Sequence, residues 1–242
     1  LAARDYATNV TILSGDIGTA NTTSDNCHHV VVSAVTTAAG VLDGFTVTRG
    51  NANGSGYFML STGYIYRSLG GGMLNRSSSP SIANCTFSYN TATNGGGLYN
   101  NYASPTVSNC TFSNNTASST GGGICNYPNA RPTITNTTFS NNTANHGGGV
   151  YAHTTSHTTV SNCTFIENTA TTNGGGMHND GSCSSIITNA TFSDNTAGSH
   201  GGGMYNGSSS PTIANSVFWG NVKGSSSTAT GSDIENSGAN TS

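Results

Sequence analysis

A parallel β-solenoid, with about 25–27 residues per coil and three short strands in each, is the fold this sequence predicts. Three observations predict it. Glycine triplets begin at Gly70, Gly95, Gly121, Gly147, Gly174 and Gly201, in steps of 25 to 27 residues. The phenylalanines Phe87, Phe112, Phe139, Phe165, Phe192 and Phe218 keep the same step. Charged residues make up only 6% of the 242, with a net charge of -3, so neither ordinary globular composition nor charge-driven disorder fits. A fixed period of this length marks a stack of coils, each contacting only its neighbours, so residues 1–242 read as one domain.

The chain opens with degenerate copies of the pattern, over residues 1–53. Asn9 to Ile17, His29 to Val32, and Val41 to Val47 read as strands, the last carrying Phe45 in the manner of the later phenylalanines. Their near-continuous apolar runs suit a parallel sheet. Residues 54–69 break the period. Tyr57, Phe58, Met59, Leu60, Tyr64, Ile65 and Tyr66 make this insertion dense in aromatic and aliphatic side chains, a hairpin or flap leaving the wall. Two fates are open to it: to fold back as a side cover, or to present an apolar patch for self-association.

Six regular coils follow, over residues 70–221. In each, the glycine triplet leads into a strand centred on Met73, Leu98, Ile124, Val150, Met177 or Met204. A variable turn precedes a second strand at Ile82, Val107, Ile134, Val160, Ile187 or Ile213. Ile82 and Phe87 lie five residues apart and would face opposite sides of one unbroken strand. A bend at Asn84 repairs the parity, and asparagine tolerates the left-handed conformation such a bend needs. Asn84, Asn109, Asn136, Asn162, Asn189 and Asn215 recur there and, one strand spacing apart, form a candidate hydrogen-bonded ladder. Asn75, Asn100, Asn126, Asn179 and Asn206 form a second, broken by Ala152. Residues 222–242 make an incomplete last coil in which Ile234-Glu235-Asn236 loosely matches Met204-Tyr205-Asn206. Neither end shows a capping helix, and open strand edges invite assembly. A start at Leu1-Ala2-Ala3 reads as a processed or fragmentary product.

Few residues carry chemistry. Cys85, Cys110 and Cys163 share one inward slot and read as small core thiols, while Cys27, Cys125 and Cys183 do not align. His146 and His200 precede glycine triplets as turn residues. His153, His157 and His178, with Asp180, read as solvated rather than as a metal site, and no cofactor is expected. Sequons at Asn9, Asn21, Asn75, Asn114, Asn141 and Asn206 are candidate glycan acceptors, Asn114 and Asn141 being the turn positions.

The repeat resembles that of the polymorphic outer-membrane proteins, a Gly-Gly-Ala-[Ile/Leu/Val] motif paired with Phe-x-x-Asn. Gly96-Gly97-Leu98 goes with Phe112 to Asn115, Gly122-Gly123-Ile124 with Phe139 to Asn142, and Gly148-Gly149-Val150 with Phe165 to Asn168. Phe87 to Asn90, Phe192 to Asn195 and Phe218 to Asn221 complete the set, and glycine replaces the motif's alanine. The resemblance covers residues 70–221 and implies a right-handed parallel β-helix of the secreted or cell-surface kind, in a family best known for adhesins.

Composition narrows the partners. Six Lys plus Arg form no basic stripe for nucleic acid, and no apolar run is long enough to span a membrane. The nine acids scatter over different coils, without the paired carboxylates of a polysaccharide hydrolase or the acid cluster of a lyase, so no enzyme is expected. The expectation is an extracellular structural protein, adhesin segment or filament subunit, that self-associates through its ends and flap into fibres or a surface layer. A glycan- or ice-binding face is the alternative, built on an outward row Thr86, Thr111, Thr138, Thr164 and Thr191 or on Tyr99, Tyr151 and Tyr205.

Overall fold

The computed structural model describes residues 9–20, 22–34, 40–60, 63–224 and 233–238. Among them the chain winds through parallel coils, but each regular coil carries four short strands rather than three. The phenylalanine sheet has eight strands, with Thr86–Ser88, Thr111–Ser113, Thr138–Ser140, Thr164–Ile166, Thr191–Ser193 and Val217–Trp219 in its regular part. An eight-stranded tyrosine sheet holds the segments that follow the glycines, from Met73–Arg76 to Met204–Gly207. A seven-stranded isoleucine sheet runs through Ser81–Ala83, Thr106–Ser108, Thr133–Thr135 and their successors. The unforeseen fourth, the alanine sheet, holds seven strands including Thr91–Asn94, Thr116–Thr120, Thr143–His146 and Thr169–Asn173.

Two corners explain the extra strand. The first is the predicted one: Asn84, Asn109, Asn136, Asn162, Asn189 and Asn215 all adopt positive φ, between 49° and 53°. The second falls on Tyr89, Asn114, Asn141, Glu167 and Asp194, with φ of 55° or 56°, and turns the chain from the phenylalanine sheet into the alanine sheet. Its occupant varies in type, so the sequence does not advertise it. Left-handed Tyr89 and Glu167 each cost roughly 1–2 kcal/mol; the buried asparagine that follows each corner offsets this cost.

That asparagine carries the main ladder. Asn142 Nδ2 donates to Asn168 Oδ1 at 2.9 Å and to Phe112 O at 2.8 Å. Asn142 Oδ1 accepts from Asn115 N at 3.1 Å and Asn115 Nδ2 at 3.0 Å. The same pattern runs through Asn90, Asn115, Asn168 and Asn195 to Asn221, all buried. The expected ladder at the first corner is shorter. Asn84 Nδ2 donates to Asp43, Asn109 to Asn84 at 3.4 Å, and Asn136 to Asn109 at 3.2 Å. Asn162, Asn189 and Asn215 share the bend but no side-chain bond with one another among the described residues. The Asn75–Asn100–Asn126 ladder stands, is diverted to Thr158 where Ala152 breaks it, and resumes from Asn179 through Asn206 to Asn236.

Inside the coil, Phe87, Phe112, Phe139, Phe165 and Phe192 are fully buried and pair in register. Their rings stack at centroid separations of 4.8, 5.1, 4.7 and 4.3 Å, and Phe218 continues the stack at 4.5 Å. Met73, Leu98, Ile124, Val150, Met177 and Met204 join the isoleucine row in the same core. From the second triplet onward, the rings and the next coil's backbone also account for the third glycine. A Cβ on Gly149 would stand 2.5 Å from Gly176 O and 3.0 Å from Phe165 Cδ1. Alanine does not fit there without moving the next coil.

Three details of the degenerate parts emerge. Phe45 is not the counterpart of the later phenylalanines; Val47 is, in register with Phe87, because Gly44 takes the corner position of Asn84. Within residues 54–69, Tyr57–Leu60 pairs antiparallel with Gly63–Tyr66, and one face of the pair folds back on the wall as a side cover. Its inner face packs, with Ile65 buried and the Phe58 ring 6.0 Å from His29, while Tyr57, Met59, Tyr64 and Tyr66 are exposed. Ile234–Ser237 pairs with Met204–Gly207 in the register the sequence suggested.

Candidate functional site

The outer side of the tyrosine sheet gathers the chain's chemistry. Leu74, Tyr99, Cys125, Tyr151, His178, Tyr205 and Glu235 stand in register on successive strands. Beside them, in four coils the strand of the alanine sheet ends in the residue before the glycine triplet: Asn94, Thr120, His146 or Asn173. On the other side lie Tyr127, His153 and Asp180. The result is a groove parallel to the solenoid axis, floored by aromatic rings and edged by polar groups. Tyr99 and Cys125 are buried in its floor, and Tyr151 nearly so.

His178 is the most altered group in the groove. It was expected in solvent, yet it is 3% exposed, edge-on to Tyr151 at 5.1 Å and to Tyr205 at 4.9 Å. Among the described residues neither of its ring nitrogens has a hydrogen-bond partner. Burial first, then the neighbouring His146 and His153, lower its pKa to about 3. His146, with its ring 5.3 Å away, is also lowered, by burial. His153 lies 3.7 Å from Asp180, His157 Nδ1 accepts from Ser184 N, and His200 pairs with Glu235 at 2.7 Å. Among the described residues no group of three or more His, Cys, Asp or Glu is gathered to hold a metal ion.

One part of the groove is open. Over Cys125 lies a cleft of about 310 Å³, lined by Asn94, Tyr99, Thr120, Cys125, Tyr127, Tyr151 and His153. Thr120 Oγ1 donates to Asn94 Oδ1 at 2.7 Å and sits 3.4 Å from Cys125 Sγ. His153 stacks on Tyr127 at 5.3 Å and on Tyr151 at 5.8 Å.

The phenylalanine sheet presents a different surface. The expected row Thr86, Thr111, Thr138, Thr164 and Thr191 is in register, with Thr46 before it and Val217 after. A second row was missed: Ser88, Ser113, Ser140 and Ser193, interrupted by Ile166 and Trp219. Its signal was present, since residues on either side of an inward phenylalanine share the outer face.

The profile of the right handed beta helix region matches residues 6–165 and again residues 123–241. The chain belongs to this right-handed β-helix family. No curated protein matches it, and no solved structure matches it.

The β-helix decides which of the sequence's remaining candidates are accessible. Asn75 and Asn206 are buried in a ladder, and a folded coil cannot offer them to a glycosyltransferase. Asn114 and Asn141 are exposed at the second corner, and Asn9 is exposed, while Asn21 lies outside the described residues. All six cysteines are free. Cys85, Cys110 and Cys163 fill their common slot, each thiol donating to the carbonyl two residues back, at 3.0, 3.2 and 3.3 Å. Among the described residues no helix is long and apolar enough to cross a membrane.

Proposed function

We propose that this β-helix is a non-enzymatic extracellular structural protein, a surface adhesin segment or fibre subunit, that self-associates through its hairpin and its outermost strands. The observation that carries the reading is the hairpin's outer face. Tyr57, Tyr64 and Tyr66 cluster with ring centroids 4.5 to 6.5 Å apart beside Met59, which is 70% exposed. An apolar group of this kind, standing off an otherwise hydroxyl-rich wall, suits contact with a second copy. The outermost strands add exposed Val10 and Ile12 at one side and Val217 and Trp219 at the other.

The acids support a structural role over a catalytic one. Asp16 faces Arg49, Asp43 and Asp233 end asparagine ladders, and Glu235 joins Lys223 and His200. Glu167 and Asp194 occupy corners. Low charge, accessible sequons and the adhesin-type repeat support a place outside the cell.

Electron microscopy of the purified chain tests this. Fibres or laterally joined rods are expected, and replacing Tyr57, Met59, Tyr64 and Tyr66 together by serine disperses them. Monodisperse wild-type particles at high concentration would sink the assembly reading.

A second reading is ligand binding at the rod's surface, to glycan or to ice. The paired hydroxyl rows favour it, since they repeat at roughly 4.8 Å between coils and about 6.8 Å within a strand, which makes a regular lattice of Thr and Ser oxygens. Measurable thermal hysteresis, abolished by Thr138→Tyr, is the expected result for ice; its absence rules ice out, and a glycan array then tests the glycan reading separately.

A further inference from the structure

We infer that His146, His178 and Asn173 form a binding site for one divalent first-row metal ion of the kind that prefers imidazole, zinc or copper. The inference goes beyond the structural reading above and starts from buried polar atoms left unsatisfied. His146 Nδ1, Asn173 Oδ1 and both ring nitrogens of His178 are buried without a hydrogen-bond partner among the described residues. A buried polar group left unpaired costs about 1–3 kcal/mol. Such a cluster burdens the fold unless something binds it.

The coils bring these atoms together. His146 and Asn173 pair on adjacent strands of the alanine sheet, one rung apart. Asn173 stands five residues before His178. At that spacing Thr120 Oγ1 meets Cys125 Sγ at 3.4 Å, and the His200 ring lies 5.5 Å from Tyr205. Asn173 therefore flanks His178 on its own coil, and His146 reaches it from the coil before. The two imidazole centroids are 5.3 Å apart, with their planes at 59°. Two imidazoles on one tetrahedral ion, at metal–nitrogen distances of about 2.0–2.1 Å, hold their centroids roughly 5 Å apart. The rings already stand at that separation.

Neighbouring coils show the same row with its polar groups satisfied. Thr120 donates to Asn94, and His200 pairs with Glu235. Between them, His146 and Asn173 leave a nitrogen and an oxygen unused.

The electrostatics suit a cation. Burial keeps both imidazoles neutral near pH 7, the form that binds metal. Asp180 lies close enough to act on the charge of His146 and supplies negative charge at the edge of the groove. His146 and Asn173 are half-buried and leave the ion a way in, while His178 forms the back wall. Two imidazoles, one amide oxygen and a water complete a four-coordinate site spanning two coils. The bound ion pins those coils together and stabilises the folded chain by mass action.

The test is titration of the full chain, freed of metal by a chelator and carrying no histidine tag. Zn²⁺ binding is followed by calorimetry and Cu²⁺ binding by electron paramagnetic resonance. One ion per chain is expected, with splitting from two nitrogens on the copper signal. The thermal midpoint rises with Zn²⁺ and returns on chelation. Mg²⁺ and Ca²⁺, which take oxygen ligands, produce neither effect. His146→Ala and His178→Tyr each weaken binding about tenfold or more, since losing even an outer-shell partner of a metal ligand costs that much. His146→Ala, at a half-buried position, decides the matter if His178→Tyr folds poorly. His157→Ala leaves binding unchanged, which separates the site from chance capture by exposed histidines. A wild-type chain that binds no ion, or binding undiminished by His146→Ala, overturns the site.

Discussion

Replacing Asn142 by leucine is expected to lower the free energy of unfolding by about 4 kcal/mol. The amide joins three coils at once, because it accepts from Asn115 and donates to both Asn168 and Phe112. Leucine has nearly the same size but no polar atoms. The Asn115 N–H and one Asn115 Nδ2 hydrogen then remain buried without partners, and the Phe112 carbonyl loses its side-chain donor. Each orphaned group costs on the order of 1–3 kcal/mol. A solenoid transmits such damage mainly to adjacent coils, so hydrogen exchange should rise around residues 112–168 before it rises at the ends. The contrast is Asn136→Gly at the other corner. Its φ of 49° suits glycine, and its one exposed side-chain bond is long, so a loss of less than about 1 kcal/mol is expected. Urea midpoints of the two variants check both values. Equal losses would mean that the buried amides matter no more than the bends.

Acidification is expected to destabilise the β-helix through His178 from about pH 6.5 downward. Burial holds the folded imidazole neutral until about pH 3, whereas the unfolded chain protonates near the ordinary value of 6.5. Between those two values the unfolded state binds the extra proton, so stability is complete above pH 6.5 and declines as the pH falls. The slope approaches 1.4 kcal/mol per pH unit, or about 2 kcal/mol lost by pH 5. His178→Tyr removes this group and extends the ring row of Tyr151 and Tyr205. Its denaturation midpoint should therefore fall less than that of the wild type between pH 7 and pH 5. Parallel pH profiles would rule out His178 as the source.

Much of the fold was legible because its determinants are repeated. The glycine triplets, the inward phenylalanines and the first corner are tied to one residue type in every coil, so counting finds them. The second corner escaped because Tyr89, Asn114, Glu167 and Asp194 share a backbone conformation and nothing else. The strand after it escaped because its inward residues, Ala92, Ala117, Ala144 and Ala170, are too small to mark a hydrophobic row. The asparagine of Phe-x-x-Asn was visible as a motif, but its bonding was not. The asparagines of the first corner looked like the stronger ladder because they close a parity argument, which concerns the backbone and says nothing about burial.

The candidate site divides along the same line. The Tyr99, Tyr151 and Tyr205 row was readable in sequence, as was His178 within it. By itself, then, the sequence determined the coil length, the inner stack, the parallel wall and the place where the period fails, since each follows from local spacing. Only the tertiary structure decided that His178 is buried and that Asn75 and Asn206 are closed to modification. Those facts depend on which side chains from different coils and different sheets stand over one another, and packing distances across some 26 residues of chain are set when the coils stack.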